Sequence, residues 1–215
     1  MGAARGRGCR LGIDFDNTVV RYDELLLREA GRRGLIPPET MAWSKREIRD
    51  RIRRLPEGER EWQRLQALIY GAKIQEATPA PGVAEFFARC KAHAVEVFII
   101  SHKTRYAALD ERGIDLWDAA MAWMRSHRLF DAEGAGLSPQ RVYFEPTRAE
   151  KLARIKRLGC THFIDDLEET FLEPAFPQGT QKILYATAGP STHLPGVRVA
   201  ASWQDITEGL FDAGP

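Results

Sequence analysis

Hydrophobic and polar positions alternate along this chain in two distinct regimes. Leu11-Gly12-Ile13 is a short apolar run that ends abruptly at Asp14-Phe15-Asp16, the pattern of a buried strand emerging at a polar edge. From Tyr22 to about Gln75 the period becomes helical. Asp23 heads a helix through Ala30, which Gly31, Gly34 and Pro37-Pro38 terminate. Ser44 and Glu47 form a capping box ahead of Ile48, Ile52 and Leu55. Trp62, Leu65, Ile69 and Ala72 share one face of a further helix, and no strand pattern occurs in this stretch.

Thr78-Pro79-Ala80-Pro81-Gly82 is a clear break. Beyond it, helical and strand patterns alternate. Val83–Lys91 predicts a helix, Val95–Ile100 a β-branched buried strand, and helices follow from about Arg105 and over about Trp117–Arg128. Arg141–Phe144 predicts a strand. Thr147 and Glu150 cap a helix that runs to Leu158 and stops at Gly159. His162–Ile164, Lys182–Tyr185 and Val197–Val199 read as strands, and Ser202–Phe211 as a closing helix. Alternation of this kind predicts an α/β protein: a Rossmann-like, mostly parallel sheet with helices on both faces. The expected core is 1–20 with 80–215, interrupted by a small all-helical domain over 21–79.

Composition narrows the classes. At 215 residues the chain can bury roughly 70% of its unfolded surface, enough for a core without staples. Net charge is +1, which gives no reason to expect a nucleic-acid or membrane partner. No apolar run approaches the ~18 residues of a membrane span; the longest, near Val97–Ile100, is strand-sized. The opening segment lacks the apolar region of a secretory signal, and Gly6 stands where a myristoylation pattern needs Ser or Thr. Cys9, Cys90 and Cys160 are far apart and odd in number, so reduced thiols and a cytoplasmic location are expected. Oligomeric state stays open.

In open α/β sheets, ligands bind beyond the carboxyl ends of the strands. Asp14 and Asp16, Ser101, and Asp165 with Asp166 fall at such ends, so a carboxylate-rich crevice is expected. Carboxylates crowded together repel one another, and a divalent cation removes the conflict. An all-oxygen donor set favours Mg²⁺ over zinc, and Mg²⁺ readily shares its shell with a substrate phosphate. One carboxylate can attack phosphorus while a neighbour protonates the leaving oxygen and later activates water. Ser101 can donate to a phosphoryl oxygen, and Lys151, in the first turn of its helix, offers a positive charge.

These residues carry a resemblance. Ile13-Asp14-Phe15-Asp16-Asn17-Thr18-Val19 resembles the first motif of the haloacid dehalogenase-like hydrolases, and Phe98-Ile99-Ile100-Ser101 the second. Lys151 resembles the third and Phe163-Ile164-Asp165-Asp166 the fourth, all in the family's order. The resemblance implies that Asp14 is the nucleophile and a metal ligand. Asp16 would be the general acid/base, with its backbone carbonyl on the metal. Thr18 would support the loop after the first strand and is grouped with the phosphate binders Ser101 and Lys151. Asp166 would ligate Mg²⁺ directly, and Asp165 directly or through water. Lys156 and Lys103 are alternatives to Lys151. Glu168 and Glu169 stand where the family often carries a further Asp. The second Asp of the first motif is usual in phosphatases and phosphotransferases of the family and usually missing from its dehalogenases. The helices inserted between the first and second motifs correspond to the family's mobile cap, found mostly in members that act on small metabolites.

The implied function is Mg²⁺-dependent hydrolysis of a small phosphomonoester metabolite through an aspartyl-phosphate on Asp14. Alternatives are a phosphotransferase, phosphomutase or nucleotidase on the same site, or a phosphate-binding module without catalysis. His102, beside Ser101, is a substrate-contact candidate with a loop-stabilising role as its rival. Asp166 with Glu169 also fits a helix cap. The basic run Lys45–Arg54 reads as a solvated helix face, as a surface attracting anionic substrates, or as a nucleic-acid patch. Trp117, Met121 and Trp123 read as core.

Overall fold

The computed structural model describes residues 8–37, 40, 43–187, 189–190 and 194–212. The expectations on the opening segment and on Pro38 lie outside these residues. The chain divides into two compact units: Met1–Val19, Pro79–Lys103 and Arg128–Pro215 in one, Val20–Thr78 and Thr104–His127 in the other.

The first unit is built on a six-stranded, wholly parallel sheet. Its strands are β1 (Arg10–Ile13), β4 (Glu96–His102), β5 (Val142–Glu145), β6 (His162–Asp165), β7 (Gln181–Tyr185) and β8 (Val197–Ala200), ordered β5-β4-β1-β6-β7-β8. The sequence marks all of them, most plainly β1, β4 and β6, whose burial on both faces makes them nearly unbroken apolar runs. The pair β2 (Val20–Arg21) and β3 (Thr78–Pro79) forms a separate two-stranded sheet, too short to leave a pattern.

Helices α4 (Val83–Ala92), α6 (Arg148–Arg157), α7 (Glu168–Leu172) and α8 (Trp203–Thr207) belong to the same unit. Side chains on the two faces of the pleat alternate along each strand. On one face Phe98, Ile100, Phe163 and Leu184 pack with Leu152 and Ile155 of α6 and Phe171 of α7. On the other, Tyr185 and Phe86 of α4 lie against Trp203 of α8 at 5.7 and 4.7 Å between ring centroids. The buried Trp203 indole donates to the Thr18 carbonyl at 3.1 Å, tying α8 to the loop that follows β1. The cap at Ser202 is a full capping box with Asp205, and the closing helix passes at Glu208–Asp212 into a π-helical turn. Thr147 accepts from the Glu150 amide, as the sequence predicts for the start of α6.

The second unit holds α1 (Asp23–Arg32), α2 (Lys45–Arg53), α3 (Gly58–Tyr70) and α5 (Leu116–Ser126). The capping box of α2 is present, with both Ser44 and Glu47 engaged. Leu25, Leu26, Ile48, Ile52, Trp62, Leu65 and Ile69 form its buried interior. Three expectations need correction. Tyr22 rather than Asp23 precedes α1, and no side chain caps that end. Ala72 lies beyond the end of α3 and is exposed. The helix expected from Arg105 is a series of turns, because Asp110 accepts from the backbone of Arg112 and Ile114 and holds that segment non-helical.

The 104–127 segment groups with the helical unit instead of the core. The Trp123 indole donates to the Ala77 carbonyl at 2.9 Å, and the Ser126 hydroxyl to Gln75 at 2.9 Å. Trp123 is core as expected, whereas Trp117 and Met121 are half-buried.

Gly12 sits in β1 with no room for a side chain. A Cβ there would lie 2.6 Å from the Phe163 ring. Gly12→Ala should therefore destabilise the protein by about 1–3 kcal/mol through overpacking, read as a lower denaturant midpoint with an unchanged slope.

Candidate active site

Strand register assembles the site. Ile13 pairs with Ile99 on one side and with Ile164 on the other. The next residue of β1, Asp14, is thus level with Asp165, while Ser101 lies at the same end of β4. The Asp14 amide still donates to the Ile164 carbonyl at 2.9 Å, so the residue is held by the sheet although it lies past the strand. The chain then turns sharply. Asn17 adopts a left-handed φ of 60°, a conformation asparagine tolerates better than most residues, and Val19 N donates back to the Phe15 carbonyl at 3.0 Å.

Asp14 is the centre of the site and is 4% exposed. Its Oδ1 accepts from Ser101 Oγ at 2.9 Å and from Lys151 Nζ at 2.6 Å. The same ammonium donates to Asp165 Oδ2 at 2.7 Å. Lys151 is completely enclosed, so it bridges two buried carboxylates. Neither Lys156 nor Lys103 takes that place. Asp165 Oδ1 accepts from the Leu167 amide at 3.0 Å, which leaves both of its oxygens committed to this chain. Asp166 is half-buried and accepts from the Thr18 hydroxyl at 3.4 Å. It caps no helix: the residue preceding α7 is Leu167, with no side-chain cap.

The ligand oxygens of Asp14, Asp165 and Asp166 lie within 4.8 Å of one another, the acidic group among the described residues able to hold a cation. The carboxylate of Asp16 is not part of it. Lys103, two residues past Ser101, reaches back and donates to Asp16 Oδ2 at 2.8 Å and Oδ1 at 3.1 Å. Three carboxylates thus converge instead of four, because a lysine neutralises the fourth where it stands. Thr18 is fully buried, so its hydroxyl serves Asp166 and presents no surface to a phosphoryl group. His102 is exposed, and its Nε2 lies 3.1 Å from the Pro146 carbonyl, the loop contact that rivalled a substrate role. Partial desolvation of its ring, with the nearby charges of Lys151 and Arg148, lowers its pKa and favours the neutral form.

Four carboxylates, Asp14, Asp16, Asp165 and Asp166, stand with two ammoniums, Lys103 and Lys151, at the strand ends. A divalent cation suits such an acidic group, and oxygen-only donors are hard ligands. The electrostatics of Asp14 point the same way. Burial raises its pKa from 3.8 to about 7; Lys151 opposes the rise, and Asp165 and Asp16 add to it. Lys151 is held above the ordinary lysine value, since its two carboxylates outweigh the burial that disfavours its charge.

No protein-family model matches the sequence, and no curated protein matches it. Solved structures do match in shape. A family IA, variant 3 hydrolase of the haloacid dehalogenase type from Entamoeba histolytica superposes with a TM-score of 0.58, 12% identity, and coverage of 94% of this chain and 97% of that one. A subfamily IA, variant 1 hydrolase from Geobacter sulfurreducens gives 0.57, 16%, 97% and 100%. A haloacid dehalogenase family hydrolase from Deinococcus radiodurans, solved with bound phosphate and sodium, gives 0.55, 16%, 95% and 96%. Dehalogenases are among the matches as well. The chain has the α/β fold of the haloacid dehalogenase-like hydrolases.

Two measurements follow from this site. An acid whose pKa is raised by folding takes up a proton as the chain folds, so stability without a cation falls as pH rises from 3.8 toward about 7. A cation on Asp14 displaces that proton. Added Mg²⁺ should therefore raise Tm more at about pH 8 than at about pH 5, and equal shifts would remove Asp14 from the cation's shell. Lys151→Met leaves two buried carboxylates without their counter-charge and should cost about 3–5 kcal/mol in denaturant titration.

Proposed function

We propose that this protein is a Mg²⁺-dependent phosphatase that hydrolyses a small phosphomonoester through an aspartyl-phosphate on Asp14. The observation that carries the reading is a second carboxylate, Asp16, two residues from a buried Asp14 that Ser101 and Lys151 both contact. A halide leaves without a proton, so dehalogenation at Asp14 has no use for a second acid. An alkoxide leaving from phosphorus needs one.

Asp14 attacks phosphorus as the bond to the leaving oxygen breaks, and Asp16, which must enter this step protonated, delivers its proton to that oxygen. Ser101 Oγ and Lys151 Nζ, already converged on Asp14 Oδ1, hold the transferred phosphoryl oxygens. Asp16, now a carboxylate, accepts a proton from the water that cleaves the acyl phosphate, and Asp14 is regenerated. Asp14, Asp165 and Asp166 would hold a divalent cation, which would supply neutralisation of charge on the phosphoryl group. Lys151 keeps Asp165 and Asp14 together in the absence of the ion. The helices inserted between the first and second motifs, Val20–Thr78, stand in the chain where the family carries its cap, which supports a small-molecule substrate.

The test is phosphate release from a panel of phosphomonoesters with Mg²⁺ and with chelator, beside halide release from 2-haloacids. Phosphate release that requires Mg²⁺ and disappears in Asp14→Asn, with the fold retained by circular dichroism, is expected. Asp16→Asn should lower kcat by roughly 10²–10⁴ on an alkyl phosphate. Halide release without phosphate release would overturn the assignment.

A further inference from the structure

The Lys103–Asp16 pair is the feature of the site that its four motifs do not account for. Lys103 is nearly enclosed, with its side chain 2% exposed, although it lies on the loop leaving β4. Its amide donates to the Glu145 carbonyl at 2.9 Å, so the backbone is anchored where the β4–β5 pairing ends. Its ammonium lies 5.9 Å from the Phe15 ring centroid and spans both oxygens of Asp16, whose side chain is 17% exposed. Burying an ammonium is costly unless its partners are well placed. Here it meets a carboxylate at the rim of a site, which a solvated lysine could have neutralised without burial.

We propose that Lys103 is a positioning residue: it fixes the orientation of the Asp16 carboxyl so that the proton passes in line to and from the oxygen bonded to phosphorus. An aspartate at a strand end has several accessible rotamers. Two contacts to one ammonium, itself fixed by backbone and ring, select one of them. Lys103 does this without touching the phosphoryl group, which Ser101 and Lys151 hold. The proposal rests on the phosphatase reading of Asp14 and Asp16. In the step concerned the Asp14–phosphorus bond forms, the bond from phosphorus to the leaving oxygen breaks, and the proton moves from Asp16 to that oxygen.

The leaving group distinguishes this role from a structural one. Protonation matters greatly for an alkyl leaving group and little for a good aryl one. Lys103→Met and Lys103→Gln are compared with wild type on p-nitrophenyl phosphate and on glycerol phosphate or another alkyl phosphate that wild type accepts. The expected result is a kcat loss of roughly 10²-fold on the alkyl ester, less than about fivefold on the aryl ester, and KM changed by less than about threefold on both. Lys103→Arg, which keeps the charge, should recover part of the alkyl rate. If Lys103→Met does not fold, the same comparison on Lys103→Gln decides. Asp16→Asn serves as the reference. Equal losses on both esters in the lysine variants, with Asp16→Asn still selective against the alkyl ester, would overturn the role of Lys103 and leave the phosphatase reading intact. An Asp16→Asn enzyme with no such selectivity would overturn the acid/base reading itself.

Discussion

A single ammonium, that of Lys151, is the constraint from which the rest of the site is arranged. It is sealed from water and donates to Asp14 at 2.6 Å and to Asp165 at 2.7 Å. Two buried carboxylates side by side at the ends of adjacent parallel strands would otherwise repel strongly. The register of β1 against β6 makes that adjacency unavoidable, since Asp14 and Asp165 are level once Ile13 pairs with Ile164. Helix α6 supplies the remedy from across the loop after β5. Its Thr147 cap fixes where the helix starts, and hence that Lys151 lies in the first turn, beside the strand ends. The buried Leu152 and Ile155 seat the same helix on the sheet face formed by Phe98, Ile100 and Phe163. A local sequence signal, the cap, thereby places a group that serves residues 137 and 14 positions away in the chain.

Much of this was legible in the sequence, for reasons that differ by element. Strands buried on both faces have no polar alternation to disguise them, so the apolar runs of β4 and β6 predict their positions and their polar ends. Caps at Ser44 and Thr147 act within a few residues and are read from those residues alone. The turns at 105–115 fail this test. The segment is polar enough for a surface helix, and Asp110 decides against it by accepting from backbone amides downstream. Attachment of α5 to the helical unit was not legible, because it depends on Trp123 and Ser126 meeting Ala77 and Gln75, about fifty residues earlier in the chain. Position along the chain suggested the core, and tertiary contact settled the matter otherwise.

The candidate site shows the same division. Motif order brought Asp14, Ser101, Lys151, Asp165 and Asp166 to one edge, and the structure gathers all five there. Spacing within the first motif does not say what Asp16 meets. Asp14 accepts from Ser101, and Asp16, two residues on, pairs with Lys103, two residues past Ser101. The sequence presents Lys103 only as an alternative to Lys151. Its partner lies 87 residues away, and the contact follows from β1 pairing with β4 and the loop leaving β4 folding back, neither of which a motif encodes.

The two aspartates of one short motif therefore live in different physical settings, a difference that the proposed two-step phosphoryl transfer would use. Asp14 is enclosed, with its pKa raised by burial and held in check by Lys151. An enclosed carboxylate freed of its proton by a cation is poorly solvated and close to fixed donors, the condition in which it attacks phosphorus well. Asp16 is less deeply buried and paired with its own lysine. Had one lysine served both acids, any motion that freed one would have disturbed the other. Separate counter-ions, Lys151 on α6 and Lys103 on the loop leaving β4, would let the proposed nucleophile stay still while the proton carrier changes its charge.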